Sequence, residues 1–423
     1  MDRRVTVERA LRAAPPHGLL DSLRINLAQQ FAAFSADLLL VDYGLTVLRP
    51  VEPVQAPTGL QPVAVGSGPA GRAFSTQQPY LFGGDGPTAT AYLPVTVRGD
   101  RCGVLVVELP ADRATPQSTE ELAGVAEMLG HALRVADRHT DVYRRTRRSR
   151  PLSIPAEMQW DVLPGRGCTD EEFDLHAYWE PSYTSGGHVL DWSVTEEELT
   201  LVVANGTGPG TQSVLVSNLA LNAIRNARRA GQDLVGQASL TDQALYGQHG
   251  GDRCLSALLM SFARATGEVR VVDAGSPTVW RTRGAVTERL HLERQLPLGM
   301  FEDTIYVTQR LRVLPGDRLV FVACDRAEPS AAGGDTAMDR TVSQMDRTVS
   351  HAIDGTRHLA CAETPQAVVR ALREPDGALP DDILVLCLDW HGGRTAEQRA
   401  GAGGVECAKR GKFVERDGTH GAT

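Results

Sequence analysis

The segment from Tyr183 to Gly210, YTSGGHVLDWSVTEEELTLVVANGTGPG, constrains this chain more than any other. A Gly-Gly pair opens it and an apolar run follows. A polar turn then leads into a second apolar run, which ends in a Gly-rich turn. Two runs of strand length parted by a polar turn predict strands near 187–193 and 198–203. A helix is expected after the glycines, over about 210–229.

A chain of 423 residues exceeds one ordinary domain, so two domains with linkers are expected. Hydrophobic residues at 42% and charged residues at 22% describe a soluble globular protein. No apolar run has the length to cross a bilayer, and MDRRVTVERA lacks a signal peptide's apolar core, so a cytoplasmic location without a membrane partner is expected. The net charge of −9 argues against nucleic-acid binding. Seven cysteines, an odd number without a CxxC pair, point to reduced thiols. Lys409 and Lys412 are the only lysines, a sign of GC-rich codon usage.

Residues 1–17 form an N-terminal segment. From Gly18 to Phe34, apolar residues are spaced for a helix. ADLLLVDYG and LTVLRPV read as strands. TAYLPVTVRG and RCGVLVVELP, joined through Arg-Gly-Asp-Arg, read as a hairpin. Ser118 is expected to cap a long helix with Glu120 and Glu121 in its first turn. This order, with "G-x-A-F…P-Y-L" and "L-P-V…G-V-L-V-V", resembles a GAF domain over residues 18–138. That resemblance implies an antiparallel sheet flanked by helices and a pocket for a small ligand of unknown identity. Leu122, Val125, Leu129, Ala132, Ala136 and His139 step by three or four. The stripe suits either a homodimer through this helix or packing on its own domain. Residues 139–169 form a helical, Arg-rich linker, whose run YRRTRRSR is expected to be a solvated face.

A second unit spans 170–390. Strands are expected near 172–178, 254–263, 268–274, 277–282, 303–311, 317–323 and 382–389, and helices near 338–356 and 364–373. MDRTVSQ repeats as MDRTVSH over 338–351, a neutral extension. The Gly-rich tail 391–423 is expected to be disordered.

Tyr183–Gly210 resembles "P-A-x-x-V-G-G-D-x-Y-D" and "G-D-V-S/T-G-H-G" of the SpoIIE/RsbU-like PPM-type serine/threonine phosphatases. Gln159, Leu163 and Pro164 match the lead-in to that domain. VVDAGSPTVW resembles "N-A-G-H-P-P", LPLGM "x-P-L-G", LPGDRLVFVACDRAEP "x-P-G-D-x-L-x-L-Y-T-D-G-V-x-E-A", and PDDILVLCLDW "D-D-x-T-L-L-V". The resemblance implies an α+β fold, an α-β-β-α sandwich of two mainly antiparallel sheets. It also implies two Mg²⁺ or Mn²⁺ ions held by four acids, with a bridging hydroxide attacking phosphoserine or phosphothreonine. Small hard dications side by side need several carboxylates.

At the four acid positions stand His188, Asn205 (followed by Gly206), Cys324 and Asp381, with Asp325 one place beyond the third. Only Asp381 is an acid. Asp382 beside it is expected to point away, and Leu384 stands where the family often has Thr. Asp191 matches a further acid of the first motif and is a candidate for catalysis or for supporting the next turn. Three readings stay open. The first is a GAF-regulated pseudophosphatase, without a metal cofactor, that binds a STAS-type anti-anti-sigma factor or an anti-sigma kinase. The second is a weak phosphatase using Mn²⁺ or Mg²⁺ through Asp381, Asp325 or Asp191. The third is a zinc hydrolase built from His188, Cys324 and Asp381, donors that suit Zn²⁺.

Overall fold

The computed structural model describes residues 3–52, 60–83, 86–180, 183, 186–275, 277–324, 346–373 and 382–392. Its N-terminal part is a six-stranded antiparallel sheet of β1 (Ser35–Val41), β2 (Val47–Pro50), β3 (Val63–Ala64), β4 (Tyr80–Gly83), β5 (Thr88–Val97) and β6 (Asp100–Pro110), in the order β3-β2-β1-β6-β5-β4. The expected hairpin joins β5 to β6. Its turn residues Arg98 and Gly99 have φ of 47° and 86°, matching the twist of a two-residue turn.

Helices α1 (Arg3–Ala13), α2 (Leu19–Phe31) and α4 (Pro116–Ala136) share one core with the sheet, while α3 (Gly68–Thr76) packs against a smaller apolar cluster. Val7 and Leu11 of α1 lie in the main core, so the first residues are part of this unit rather than a separate segment. The cap of α4 is Thr115, not Ser118. Ser118 N–H donates to Thr115 Oγ1 at 3.2 Å, and Thr115 N–H donates to Ser118 Oγ at 2.9 Å. Leu122, Val125, Leu129 and Ala136 are buried in the domain's own core, with Ala132 at its margin. The stripe thus packs on its own domain, one of the two readings, with His139 exposed at its end.

The Arg-rich run is only partly a solvated face, with Arg145 and Arg150 exposed and Arg144, Arg147 and Arg148 half-buried. It forms α5 (Val142–Thr146) and leads into α6 (Ile154–Val162), which Ser153 caps. Arg144 pairs with Asp161 at 2.5 Å, Arg148 with Glu157, and the Arg150 guanidinium lies 4.5 Å from the Tyr183 ring centre.

The C-terminal part contains β7 (Gly167–Thr169), β8 (Phe173–Glu180), β9 (His188–Val194), β10 (Glu198–Gly206), α7 (Thr211–Arg229), α8 (Leu234–His249), β11 (Leu255–Ala263), β12 (Glu268–Ala274), β13 (Thr278–Arg283), β14 (Val286–Arg289), β15 (Gln309–Arg312), β16 (Arg318–Cys324), α9 (346–355), α10 (Thr364–Arg373) and β17 (Ile383–Trp390). One sheet runs β15-β12-β11-β10-β9 and the other β14-β13-β16-β17-β8-β7, every pairing antiparallel. Leu190, Val203, Met260, Phe321 and Leu386 are among the side chains that fill the space between the sheets. Helices α7 and α8 cover the outer face of the first sheet, and α9 and α10 that of the second. This is the expected α-β-β-α sandwich.

Helix α8 escapes the sequence reading because polar Gln237, Thr241 and Asp242 occupy its buried face. Asp242 accepts hydrogen bonds from Gly299 N–H at 2.7 Å and Tyr306 Oη–H at 2.8 Å, which fastens the LPLGM turn. Of the duplicated heptads, the first lies outside the described residues. In the second, Asp346 pairs with Arg289 at 2.6 Å and Val349 is buried.

The two parts meet at Asp42. Its carboxylate accepts from Thr46 N–H at 2.7 Å, Val47 N–H at 3.1 Å, and the Ser149 and Tyr183 hydroxyls at 2.9 Å each. Burial raises this carboxyl, but these hydrogen bonds together outweigh it and hold it below its ordinary range. A depressed folded value gives stability present above the unfolded value and lost as pH falls through the folded one. Asp42→Ala should therefore cost about 2 kcal/mol at neutral pH. It should also flatten the loss of stability below about pH 4, both read from denaturant titrations across pH.

Candidate functional site

Side chains alternate along a strand, so core membership shows where each one points. In β9, Leu190 lies between the sheets and Val189 under the helices, which turns His188 toward the inter-sheet side, fully buried. In β10, Val203 lies between the sheets and Ala204 under the helices, so Asn205 takes the same side as His188. The two residues face each other across paired strands. These first two sequence-predicted site residues are brought together at one end of the sandwich.

Backbone contacts build that end. The Ser217 hydroxyl on α7 donates to Gly187 O at 2.6 Å and accepts from Gly206 N–H at 3.0 Å, tying the start of β9 to the end of β10. Gly187 has φ of 103°, a conformation open to glycine. Gln159 on α6 donates its amide to His188 O. The pattern of glycines thus persists because the main chains approach closely here.

From the facing sheet comes Asp382, buried at 8% exposure, contrary to the expectation that it points away. Leu384 and Leu386 lie between the sheets, and the same alternation turns Asp382 inward. It packs on Gly186, where an added Cβ would stand 2.7 Å from Asp382 Cγ and 2.8 Å from Asp382 Cβ. Sequence reasoning missed this pair. The signal was the period of two running back from Leu386, hidden because ILVLCL is apolar on both faces.

Cys324 is not part of the group. It packs with Val320, Val322 and Ile383 on the helix side of its sheet, while Ala323 faces the sandwich core. The zinc trio of His188, Cys324 and Asp381 therefore loses its sulfur ligand to the opposite face. Asp381 and Asp325 lie outside the described residues. Asp191 turns to the helix side, where Arg225 donates to Oδ1 at 2.7 Å and Arg228 to Oδ2 at 2.9 Å. It is 2% exposed and engaged by two cations, so it clamps α7 to β9 and is not an acid facing His188.

The described residues do not fit a centre for two divalent cations. His188 brings nitrogen without negative charge and Asn205 a neutral amide; Asp382 is the carboxylate from the facing sheet, and Asp273, turned inward two strands from Asn205, accepts from Gly275 N–H at 2.8 Å. Among the described residues, one other cluster has metal-ligand chemistry: Cys361, Cys387 and Asp389, on the outer face beneath α10. There Asp389 is bound by Arg318 at 2.6 and 2.7 Å, and Cys361 Sγ–H donates to Asp174 O at 3.2 Å.

The sequence model of Stage II sporulation protein E (SpoIIE) matches residues 195–391. Among curated protein sequences none matches. The RsbU and RsbW domains of a Mycobacterium tuberculosis protein are 17% identical with a TM-score of 0.43, over 53% of this chain and 63% of that one. The PP2C phosphatase domain of SpoIIE from Bacillus subtilis, with a fragment of its regulatory domain, is 12% identical with a TM-score of 0.41, over 53% and 66%. The SiaA PP2C domain of Pseudomonas aeruginosa is 20% identical with a TM-score of 0.39, over 51% and 85%. This chain thus spans a little under two thirds of the first two structures. No described helix is long and apolar enough to cross a membrane.

The clamp on Asp191 makes a checkable distinction between support and catalysis. Asp191→Asn leaves two guanidinium groups against a neutral amide and should cost about 3 kcal/mol of stability. Wild-type stability for this variant in urea unfolding would rule out the clamp.

Proposed function

Because residues 195–391 belong to the SpoIIE family, we propose that this chain is a regulatory pseudophosphatase, a partner-binding module on a phosphatase frame. One observation carries the proposal: the facing positions His188 and Asn205 are both without negative charge, on the side of the sandwich where cations would need it. The frame persists through Ser217, Gly187 and Gly206, whose contacts make no demand for metal.

The surface beside this end supports binding. The segment after Leu298 exposes Met300, Phe301, Ile305 and Val307, with Ile305 at 86% and Phe301 at 53%. Leu298 bridges to Leu255, and the Thr207 amide after β10 donates to Cys254 O at 3.0 Å, so this apolar stretch adjoins the loop that follows Asn205. Exposed apolar residues gathered on one loop suit a protein partner. By family, that partner is a phosphorylatable STAS-type anti-anti-sigma factor or its anti-sigma kinase. The unit over 18–138, read as GAF-like, would sense a small ligand and set the affinity of the second.

A weaker reading, phosphatase activity with a single Mn²⁺ or Mg²⁺, draws on the inward carboxylate of Asp382. Manganese titration by calorimetry separates the two. The unaltered protein should show no pair of tight sites and no Mn²⁺-dependent phosphopeptide turnover. His188→Asp with Asn205→Asp should gain Mn²⁺ affinity by at least about tenfold. Adding Cys324→Asp should contribute nothing further, since that position faces the helices. Two tight Mn²⁺ sites in the unaltered protein would overturn the proposal, while Ile305→Glu should weaken capture of a STAS partner.

A further inference from the structure

Between the two units lies a cavity of about 100 Å³, apart from the His188 end, with an unusual balance of charge. Five guanidinium groups line it: Arg101, Arg134, Arg144, Arg147 and Arg166. Three carboxylates face them, Asp42, Asp100 and Asp137. Arg134 is paired with Asp100, and Arg144 is met from outside the cavity by Asp161. Asp42 is already occupied by two amides and three hydroxyls. That leaves Asp137 beside Arg147, with Glu363 acting on Arg101 and Asp42 on Arg166.

Two of these cations, Arg101 and Arg147, keep a donor without an acceptor, while Asp137 keeps Oδ1 without a donor. The Nε–H groups of Arg101 and Arg147 are closed off from water and meet no acceptor among the described residues. Arg166 donates to Tyr43 O, and its guanidinium stacks 4.5 Å from the Trp160 ring centre and 5.9 Å from that of Trp179. Burial, the largest influence, pushes Arg166 and Arg134 down to about 10 and lowers Arg101 too. Arg147 moves the other way: burial opposes it, but Cys102, Asp137 and Tyr43 prevail. Positive charge withdrawn from water with donors left over is costly unless an anion completes it.

We propose that this interdomain cavity is a binding site for a phosphate-type oxyanion, free or as the phosphate group of a small monoester. A compact tetrahedral anion suits the volume, and planar guanidinium forks match its oxygens. The site draws Arg101, Arg134 and the Arg144–Arg147 turn from the first unit and its linker, and Arg166 from the entry to the second. A bound anion would therefore join the two units.

The test uses the full chain with inorganic phosphate, followed in parallel by calorimetry and thermal unfolding. Phosphate at about 10 mM should raise Tm by about 2–4 °C beyond chloride of equal ionic strength. Arg101→Gln and Arg147→Gln should each weaken phosphate binding at least about tenfold, while Arg145→Gln, an exposed neighbour in the same run, should leave it unchanged. A phosphomonoester such as phosphoserine binding about tenfold tighter than phosphate would identify the monoester as the natural source. Equal affinities would identify free phosphate. No phosphate-specific binding by the unaltered protein, or full binding by a folded Arg101→Gln, Arg147→Gln double variant, overturns the proposal. The measurement on the unaltered chain stands even where a variant fails to fold.

Discussion

Strand register is the constraint on which this molecule depends. A residue's place along a paired strand decides whether it faces the other sheet or the helices, and a shift of one place reverses every side chain. The pairing of His188 with Asn205 commits both to the inter-sheet side. The same rule sends Asp191 to α7, where two arginines neutralise it, and Cys324 to the layer beneath α9 and α10. What the site can do chemically follows from these parities before any distance is considered.

The frame and the chemistry place separate demands on the sequence. Ser217, Gly187 and Gly206 hold two strand ends and a helix together through backbone groups, and none of those hydrogen bonds requires an acid nearby. The fold at this end therefore makes no demand for carboxylates at 188 and 205. Two facing carboxylates without cations would repel each other in a buried setting. A buried imidazole and an amide are compatible with a closed strand end in a way that uncompensated charges are not.

Much of the fold was legible because its strands are apolar runs ended by turns, as at β9, β10, β11 and β17. The same property hid orientation. Each sheet is covered on both faces, so runs such as Leu319–Ala323 are apolar throughout, and alternation cannot be read from them. That is why the inward turn of Asp382 and the outward turn of Cys324 became visible only with the register. Helix α8 was illegible for the opposite reason: its buried face carries Gln237, Thr241 and Asp242, which find partners only in the folded chain. The Arg-rich run looked solvated because its partners Asp161, Glu157 and Tyr183 are distant from a pattern reading that weighs only neighbours.

Helix α6 gives these separate features a common mechanical element. Gln159 holds His188 O, and Val162 O accepts from Arg225 at 2.7 Å, the arginine that also clamps Asp191. On its other side Trp160 lines the interdomain cavity and carries the Arg166 guanidinium on its ring. One short helix thus touches the start of β9, the α7 clamp and the arginine cluster. Any shift of α6 moves hydrogen bonds at the His188–Asn205 pair and cation packing at the cavity together. Its nine residues are too few to persist as a helix in isolation. Their position is set by these contacts.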